Sequence, residues 1–370
     1  MRLKHSFAKG VSGDNHYMDR QTFRRLIGPG LIFSGASIGT SHLVQSTRAG
    51  AMFGLALVIV IILANVLKYP AFRFGVDYAH ATGRSLLAGY RELGLWVKLL
   101  FLVVIAPIVP IILAAVSAAT AGIFITLTGM SLSVPVLSTV ILAACAVLLV
   151  TGGYRLLDKV NAWLLGFLIV STVIATIMVL PRVAWGTLAD FSWTHEASSF
   201  LFIVALIGFM PTPIDVAPGV SIWKVEADRL LPEGVRPSIR DTRRTFLGPY
   251  ILTAAMAVCF CIMGAGVMYA NGIAPVTDAP GFAGQIVGLY RETLGTEAAV
   301  LAGISALSVM ITTVIAAIDI YVRTFSVAVS GPKSEAGAHS THARSYLAFA
   351  ILFVALAAYA LFELLADFTR

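Results

Sequence analysis

The sequence has little charge of either sign and almost no cysteine. Asp, Glu, Lys and Arg make up 12% of its 370 residues, whereas soluble domains carry about 25%. Its three cysteines, Cys145, Cys259 and Cys261, all lie inside apolar runs without a pairing pattern, so we interpret them as packing residues. Residues 1–25 lack the apolar stretch and cleavage site of a secretory signal. These deficits exclude an ordinary soluble domain and a disulfide-stabilised secreted one.

The residue patterns of catalysis and of nucleotide hydrolysis are also missing. Ser41 and His42 are adjacent rather than arranged as nucleophile and base, and no glycine-rich phosphate loop of the ATPase type is present. The sequence therefore predicts neither an enzyme nor an ATP-driven pump, and we expect no cofactor.

Apolar residues dominate what is present, at 58% of the chain. They fall in runs of about 20 residues or more, the length that crosses a bilayer. This pattern predicts an all-α, polytopic helical membrane protein, with a tail over 1–25 and a single transmembrane domain over 26–366. The nine predicted spans are 27–47, 53–72, 98–126, 133–151, 160–180, 199–222, 247–271, 298–325 and 345–366.

The net charge of +7 is distributed unevenly across these spans. With a cytoplasmic N-terminus, 21 of the 26 Lys and Arg residues fall on the cytoplasmic side and four outside, and Lys68 lies within the second span. This asymmetry is typical of inner-membrane topology. We expect a plasma-membrane protein surrounded by lipid, with no nucleic-acid partner. The sequence leaves the oligomeric state open.

Two spans are interrupted near their centres. Residues 35–42 of the first span read GASIGTSH, and residues 210–215 of the sixth read MPTPID; we call them the span-1 break and the span-6 break. Non-helical backbone at membrane depth is tolerated only where it faces protein or a water-filled cavity. Two such breaks at corresponding places of two halves indicate the binding site of a secondary transporter.

The connections carry three further predictions. Residues 48–51 read as the turn into the second span, which is predicted to end near Tyr69 and Pro70. Pro107 and Pro110 predict a kink in the third span. Residues 271–296, rich in glycine and containing Pro275 and Pro280, read as an extracellular loop and candidate outer lid.

The first span resembles the first helix of the Nramp family of proton-coupled divalent-metal transporters. Those proteins begin it with Gly-Pro-Gly, here at 28–30, break it at Asp-Pro-Gly-Asn, and close it with Ala-Gly-x-x-x-Gly, here at 49–54. Residues 153–159 are weakly similar to the family's entry into its fifth helix, and Met210 and Pro211 resemble the Met-Pro of its sixth. The resemblance implies the LeuT-like fold of two inverted five-helix repeats, here about 26–180 and 199–366. The second repeat is one helix short, which leaves open a truncated product or a dispensable helix.

The motifs differ from the family pattern where the substrate is expected. Gly39 stands at the position of the family's metal-binding carboxylate and His42 at that of its amide, while Thr212 replaces a histidine. The resemblance implies Met210 as a soft sulfur ligand for a transition metal. Loss of the carboxylate at position 39 removes a negative charge that would offset the desolvation of a dication.

The candidate site residues lie at the two breaks and on the eighth span. Intramembrane carboxylates usually mark ion pathways, and imidazole titrates in the physiological range, so we expect proton coupling at His42, Asp215 and Asp319. The residues predicted to bind substrate or ion are Gly39, Thr40, Ser41, His42, Met210, Pro211, Thr212 and Asp215, of which Met210, Asp215 and His42 form the candidate metal set.

Each of these residues also has a structural interpretation. His42 could cap broken backbone, Thr40 and Ser41 could bond the preceding turn, and Met210 could be a packing residue. Asp319 could form a simple surface pair with Arg323, four residues later on the same helix.

Together these patterns predict a secondary active transporter with an altered Nramp-like site, carrying a divalent metal cation with protons as the coupling ion. Two alternatives stay open at this point. One is a proton- or sodium-coupled transporter of a non-metal small solute, and the other is a degenerate membrane protein that transports nothing.

Overall fold

The computed structural model describes residues 30, 33–151, 154–192, 197–229, 231, 237–329 and 344–367. Within these ranges the principal elements are all helices. The helices are α1 (Ile38–Ser46, wound as a π-helix), α2 (Thr47–Phe53), α3 (Val58–Thr82), α4 (Leu86–Leu93), α5 (Leu95–Ile105), α6 (Ile108–Thr128), α7 (Val134–Thr151), α8 (Tyr154–Val179), α9 (Ala197–Phe209), α10 (Ala217–Arg229), α11 (Ile239–Met263), α12 (Ala279–Leu294), α13 (Thr296–Val329) and α14 (Arg344–Asp367).

Eight stretches in the described part of the chain are long and apolar enough to cross a membrane, and they correspond to predicted spans two to nine. They are Val58–Thr82, Leu95–Thr128, Val134–Thr151, Trp163–Arg182, Ser199–Arg229, Ile239–Asn271, Thr296–Val329 and Arg344–Glu363. The described part of the predicted first span comprises helical residues 30 and 33–37, α1 and the start of α2. The predicted tail over 1–25 lies outside the described residues, as do Gly28 and Pro29.

The helices surround α11 and α13, which are the most deeply buried of the spans. α13 packs against α6, α8 and α12, while α3 packs against α10 and α11. Large apolar side chains cover the outer faces, for example Leu67 on α3 and Val103 on α5, which are 75% and 69% exposed. Faces this apolar match a lipid environment, in which helices need no polar outer face. The chain is a multi-pass membrane protein.

Prolines within the spans have two different outcomes. The predicted kink in the third span is confirmed, because α5 ends at Ile105 and α6 begins at Ile108, on either side of Pro107. The predicted end of the second span at Tyr69 and Pro70 is wrong, because α3 continues to Thr82. A membrane helix tolerates an internal proline when neighbouring groups satisfy the freed backbone, and α3 continues to bury apolar residues beyond it.

The turn predicted at 48–51 is also wrong, because these residues lie in α2. Gly50 is a packing residue there: a Cβ at this position would lie 1.9 Å from the carbonyl oxygen of Cys261. The close approach of two helices requires a residue without a side chain at such a point. The chain turns instead at Gly54, whose positive φ of 59° suits glycine.

The loop and candidate outer lid predicted over 271–296 contains the helix α12. Asp278 caps it by accepting a hydrogen bond from the Gly281 N–H at 2.7 Å, and Pro280 lies in the first turn, where proline starts helices rather than breaking them. Phe282, Ile286 and Tyr290 recur at helical spacing and are buried. The predicted loop therefore contains a helix packed on α6 and α13, and its role as an outer lid stays a prediction.

Candidate functional site

The span-1 break is present in the structure. Gly39 has φ −67° and ψ −123° inside α1, so the helical backbone is interrupted there. A Cβ on Gly39 would lie 2.2 Å from the Thr313 Oγ1 atom of α13. The Thr313 hydroxyl is also within hydrogen-bond distance of the Gly35 carbonyl, at 3.2 Å. Thr313 therefore occupies the space that a side chain at position 39 would need.

His42 is fully buried and hydrogen-bonded through both ring nitrogens. Its Nε2 donates to the Thr253 carbonyl of α11 at 2.8 Å, and its Nδ1 lies 2.8 Å from Ser41 Oγ. His42 is not among the residues that line the cavity described below. It joins the span-1 break to α11.

Ser41 links the two breaks. Its hydroxyl contacts the Ser37 carbonyl, the Pro211 carbonyl at 3.2 Å and His42 Nδ1. A hydroxyl has one proton to donate, so it can satisfy only one of these acceptors at a time. If Nδ1 is unprotonated it accepts from Ser41, whereas a protonated Nδ1 donates to Ser41 and leaves that hydroxyl proton for a carbonyl.

The span-6 break is also present. α9 ends at Phe209 and α10 begins at Ala217, separated by a non-helical stretch, with a cis Met210–Pro211 peptide bond, and a short 3₁₀ turn, Ile214–Val216. A side chain from α3 holds the end of α9: Lys68 Nζ donates to the carbonyls of Ile207 at 2.6 Å, Gly208 at 2.8 Å and Thr212 at 3.3 Å.

Met210 is completely buried and points into an apolar cluster. It packs with Leu57, Ile61 and Leu206, and its sulfur accepts a hydrogen bond from Ser46 Oγ at 3.6 Å. Neither Met210 nor Pro211 lines the cavity. The Met210 position fits its packing interpretation, while its role as a ligand stays a prediction.

Asp215 carries the least satisfied carboxylate near the breaks. Its Oδ2 atom is buried and has no hydrogen-bond partner among the described residues, and the same is true of the Tyr321 hydroxyl on α13. The two groups nonetheless interact with each other as a hydroxyl–carboxylate pair, outside the geometry of a well-formed hydrogen bond, and Lys68 also interacts with the Asp215 charge. Buried polar groups without partners are rare in native proteins and need a functional or structural explanation.

A cavity of about 50 Å³ lies between the two breaks, α6 and α13. This volume has room for a few water molecules or one small solute, since a water needs about 10–15 Å³ by this measure. Apolar side chains form most of its wall. The hydroxyl-bearing residues in the wall are Thr40, Ser41, Thr212, Thr313 and Tyr321. Asp215 is not among the lining residues but interacts with Tyr321, which is.

Asp319, by contrast, has a full set of partners. It accepts from Arg323 Nε at 2.8 Å, from the Tyr346 hydroxyl at 2.9 Å and from Trp223 Nε1 at 3.2 Å. The ion pair is 12% exposed on the Asp319 side chain and 17% on Arg323. It is thus a largely buried network joining α10, α13 and α14 rather than a pair on the helix surface.

The structure brings together only part of the predicted site. Thr40, Ser41 and Thr212 line the cavity, whereas Gly39, His42 and Met210 do not. The described residues contain no group of three or more His, Cys, Asp or Glu placed to hold a metal. The sequence did not predict Thr313 and Tyr321 as site residues, because no motif marks them. It assigned no role to Lys68, although a charged residue within a span is itself a signal of function.

Comparisons with known proteins identify the family. The family model described as Natural resistance-associated macrophage protein-like (Nramp) matches residues 30–365. An uncharacterized protein of Pasteurella multocida (strain Pm70) is 34% identical over 340 residues, which cover 90% of this chain and 76% of that protein.

A solved structure shows the same fold. The crystal structure of a mutant manganese transporter from Eremococcus coleocola matches with a TM-score of 0.64 and 14% identity, covering 96% of this chain and 73% of that one. The match confirms the all-helical, LeuT-like architecture that the resemblance implied. The chain belongs to the Nramp family.

Proposed function

We propose that this protein is a secondary active transporter that carries a metal cation through the cavity between the span-1 and span-6 breaks. Family membership and the similarity to a manganese transporter support this function. The observation that carries it is the Asp215 carboxylate, whose buried Oδ2 atom makes no well-formed hydrogen bond among the described residues and which interacts with Tyr321 in the cavity wall. An unpaired buried carboxylate is costly, and a bound cation or proton would remove that cost.

The donor set favours a hard cation. Carboxylate, hydroxyl and carbonyl oxygens suit Mn²⁺ and Mg²⁺, whereas thioether sulfur suits softer metals. The Met210 sulfur is directed into the apolar cluster around Leu57 rather than into the cavity. We therefore expect manganese to be preferred over cadmium, which departs from the preference that a sulfur ligand would give.

Protons are the proposed coupling ion, and the proposed setting is the plasma membrane with a cytoplasmic N-terminus. Asp215 is the first candidate for proton binding, because a proton on Oδ2 would satisfy the same unpaired atom. His42 is the second, because its protonation decides whether the Ser41 hydroxyl donates to the His42 ring or is released to donate to the carbonyl of Ser37 or Pro211. Rocking of one helix bundle against the other would then expose the site alternately to each side.

Uptake into proteoliposomes tests the proposal. The wild-type protein should accumulate Mn²⁺ when a proton gradient is directed inward, and Asp215→Asn should lower the initial rate about tenfold or more, equivalent to about 1.4 kcal/mol. Asp190→Asn is a matched control, because Asp190 is an exposed loop carboxylate that accepts from the Ser192 N–H, away from the two breaks. Equal uptake by Asp215→Asn and wild type would contradict the role of Asp215.

A second candidate function is proton-coupled transport of a small non-metal solute. The favouring observation is the charge near the site: Asp215 interacts with the ammonium of Lys68, and the polar side chains that line the cavity are neutral. A dication would find little net negative charge there. Absence of Mn²⁺ uptake together with solute-dependent proton entry would favour this candidate, and absence of any uptake would favour the non-transporting protein.

A further inference from the structure

Lys68 is a charged residue in a place where charge is costly. It lies within α3, and its neighbours Val66 and Leu67 are 60% and 75% exposed on the outer apolar face. Placing a lysine near the centre of a spanning helix costs about 2.5–3.5 kcal/mol on insertion scales. A residue kept there needs a partner, and the partners of Lys68 are backbone carbonyls of the span-6 break.

Those carbonyls form the kind of site that binds a cation. The last carbonyls of a helix have no partner within it, and the helix dipole makes that end negative. Ile207 and Gly208 lie in the last turn of α9, and Thr212 lies in the break that follows. An ammonium group has three protons to donate, and Lys68 Nζ directs them at these three carbonyl oxygens, 2.6, 2.8 and 3.3 Å away.

We propose that the Lys68 ammonium is a built-in cation, which fills a carbonyl site at the span-6 break that would otherwise accept a monovalent metal ion such as Na⁺. Half-helix ends and unwound carbonyls coordinate Na⁺ in other transporters with broken helices. The Asp215 carboxylate, which interacts with the Lys68 charge, adds to the negative potential at the site. The protein with Lys68 in place therefore needs no sodium to stabilise the break, and removing the ammonium creates a sodium site.

The competing interpretation is that Lys68 is an ordinary cap at a helix end. The chain provides a matched control for it. Among the described residues, Lys98 Nζ donates to one carbonyl, that of Ala328 in the last turn of α13, at 2.7 Å. A lysine that caps one carbonyl leaves no multi-oxygen site when it is removed, whereas a built-in cation does.

The test is thermal unfolding of purified protein in NaCl and in choline chloride at equal ionic strength. Lys68→Ala should unfold at a lower temperature than wild type in choline chloride, and sodium should raise its midpoint by roughly 2–4 °C with saturable concentration dependence. Wild type and Lys98→Ala should show no sodium-specific shift. An equal midpoint of Lys68→Ala in the two salts would overturn the proposal.

Two further variants keep the test decisive. If Lys68→Ala cannot be purified, Lys68→Gln removes the charge while keeping an amide donor, and it should show the same sodium-specific shift. Lys68→Arg keeps a cation in place and should show none. The readout requires no transported substrate, so it is independent of whether the proposed metal transport is correct.

Discussion

The two breaks are stabilised in different ways. The span-1 break is stabilised by neighbours that satisfy it: Thr313 fills the space beside Gly39, and His42 is hydrogen-bonded on both sides. The span-6 break depends on a charged side chain from α3 and leaves the Oδ2 atom of Asp215 without a partner among the described residues. The difference indicates that the span-1 break is a fixed wall of the cavity, and that the group available for chemistry lies on the span-6 break.

This comparison changes the meaning of the glycine at position 39. The sequence presents Gly39 as the loss of a family carboxylate. The structure fills the vacated space with the Thr313 side chain. The site therefore involves two positions, Gly39 and Thr313, rather than the loss of one ligand alone.

The largest effect is expected from a substitution that disrupts the packing of the span-1 break. Gly39→Ala should destabilise the protein by about 3 kcal/mol, because its Cβ would collide with Thr313 and overpacking of a tight core costs about 1–3 kcal/mol. Unfolding in denaturant, with the protein in detergent, measures this.

Gly35→Ala is the control from the same break, because a Cβ there has no atom within 4 Å. The double variant Gly39→Ala with Thr313→Ala should recover much of the lost stability. Equal stability of Gly39→Ala and wild type would show that the wall is not fixed.

The next prediction compares Asp319, whose carboxylate has several hydrogen-bond partners, with Asp215. Asp319→Asn should cost about 2 kcal/mol of stability, because it weakens charge-assisted hydrogen bonds worth about 1.5–3 kcal/mol each and leaves Arg323 without its carboxylate. Asp215→Asn should cost less stability than Asp319→Asn, since its Oδ2 atom makes no well-formed hydrogen bond among the described residues and only its interactions with Tyr321 and Lys68 are weakened. The same unfolding assay measures both, and a larger loss at Asp215 would reverse the comparison.

The smallest effect concerns His42. His42→Gln should cost about 1 kcal/mol, near the net value of one intramolecular hydrogen bond, because the amide can still reach only one of its two partners. The pH profile of uptake in the same variant tests its proposed proton role. A profile shifted from wild type would support proton coupling through Ser41, and an unchanged one would assign coupling to Asp215 alone.

The sequence predicts the features that depend on local chemistry. Span lengths follow from apolar runs, and both breaks follow from glycine, proline and polar residues inside those runs. The failures depend on distant partners. Gly50 reads as a turn residue until its contact with Cys261 is known, and α12 reads as a loop because its buried face packs on α6 and α13.

The candidate site was predicted in part for the same reason. Thr40, Ser41 and Thr212 line the cavity because they lie within the breaks themselves. Tyr321 and Thr313 could not be found, because helix packing alone brings α13 against both breaks. The direction of Met210, into the apolar cluster rather than the cavity, is likewise decided by packing.

The most direct test of the account is calorimetric titration of the purified protein with Mn²⁺, comparing wild type, Asp215→Asn and Met210→Leu. The account predicts saturable binding to wild type, binding weakened about tenfold or more in Asp215→Asn, and unchanged binding in Met210→Leu. The account would be contradicted if Met210→Leu weakened Mn²⁺ binding and Asp215→Asn did not. That result would identify the Met210 sulfur as the metal ligand.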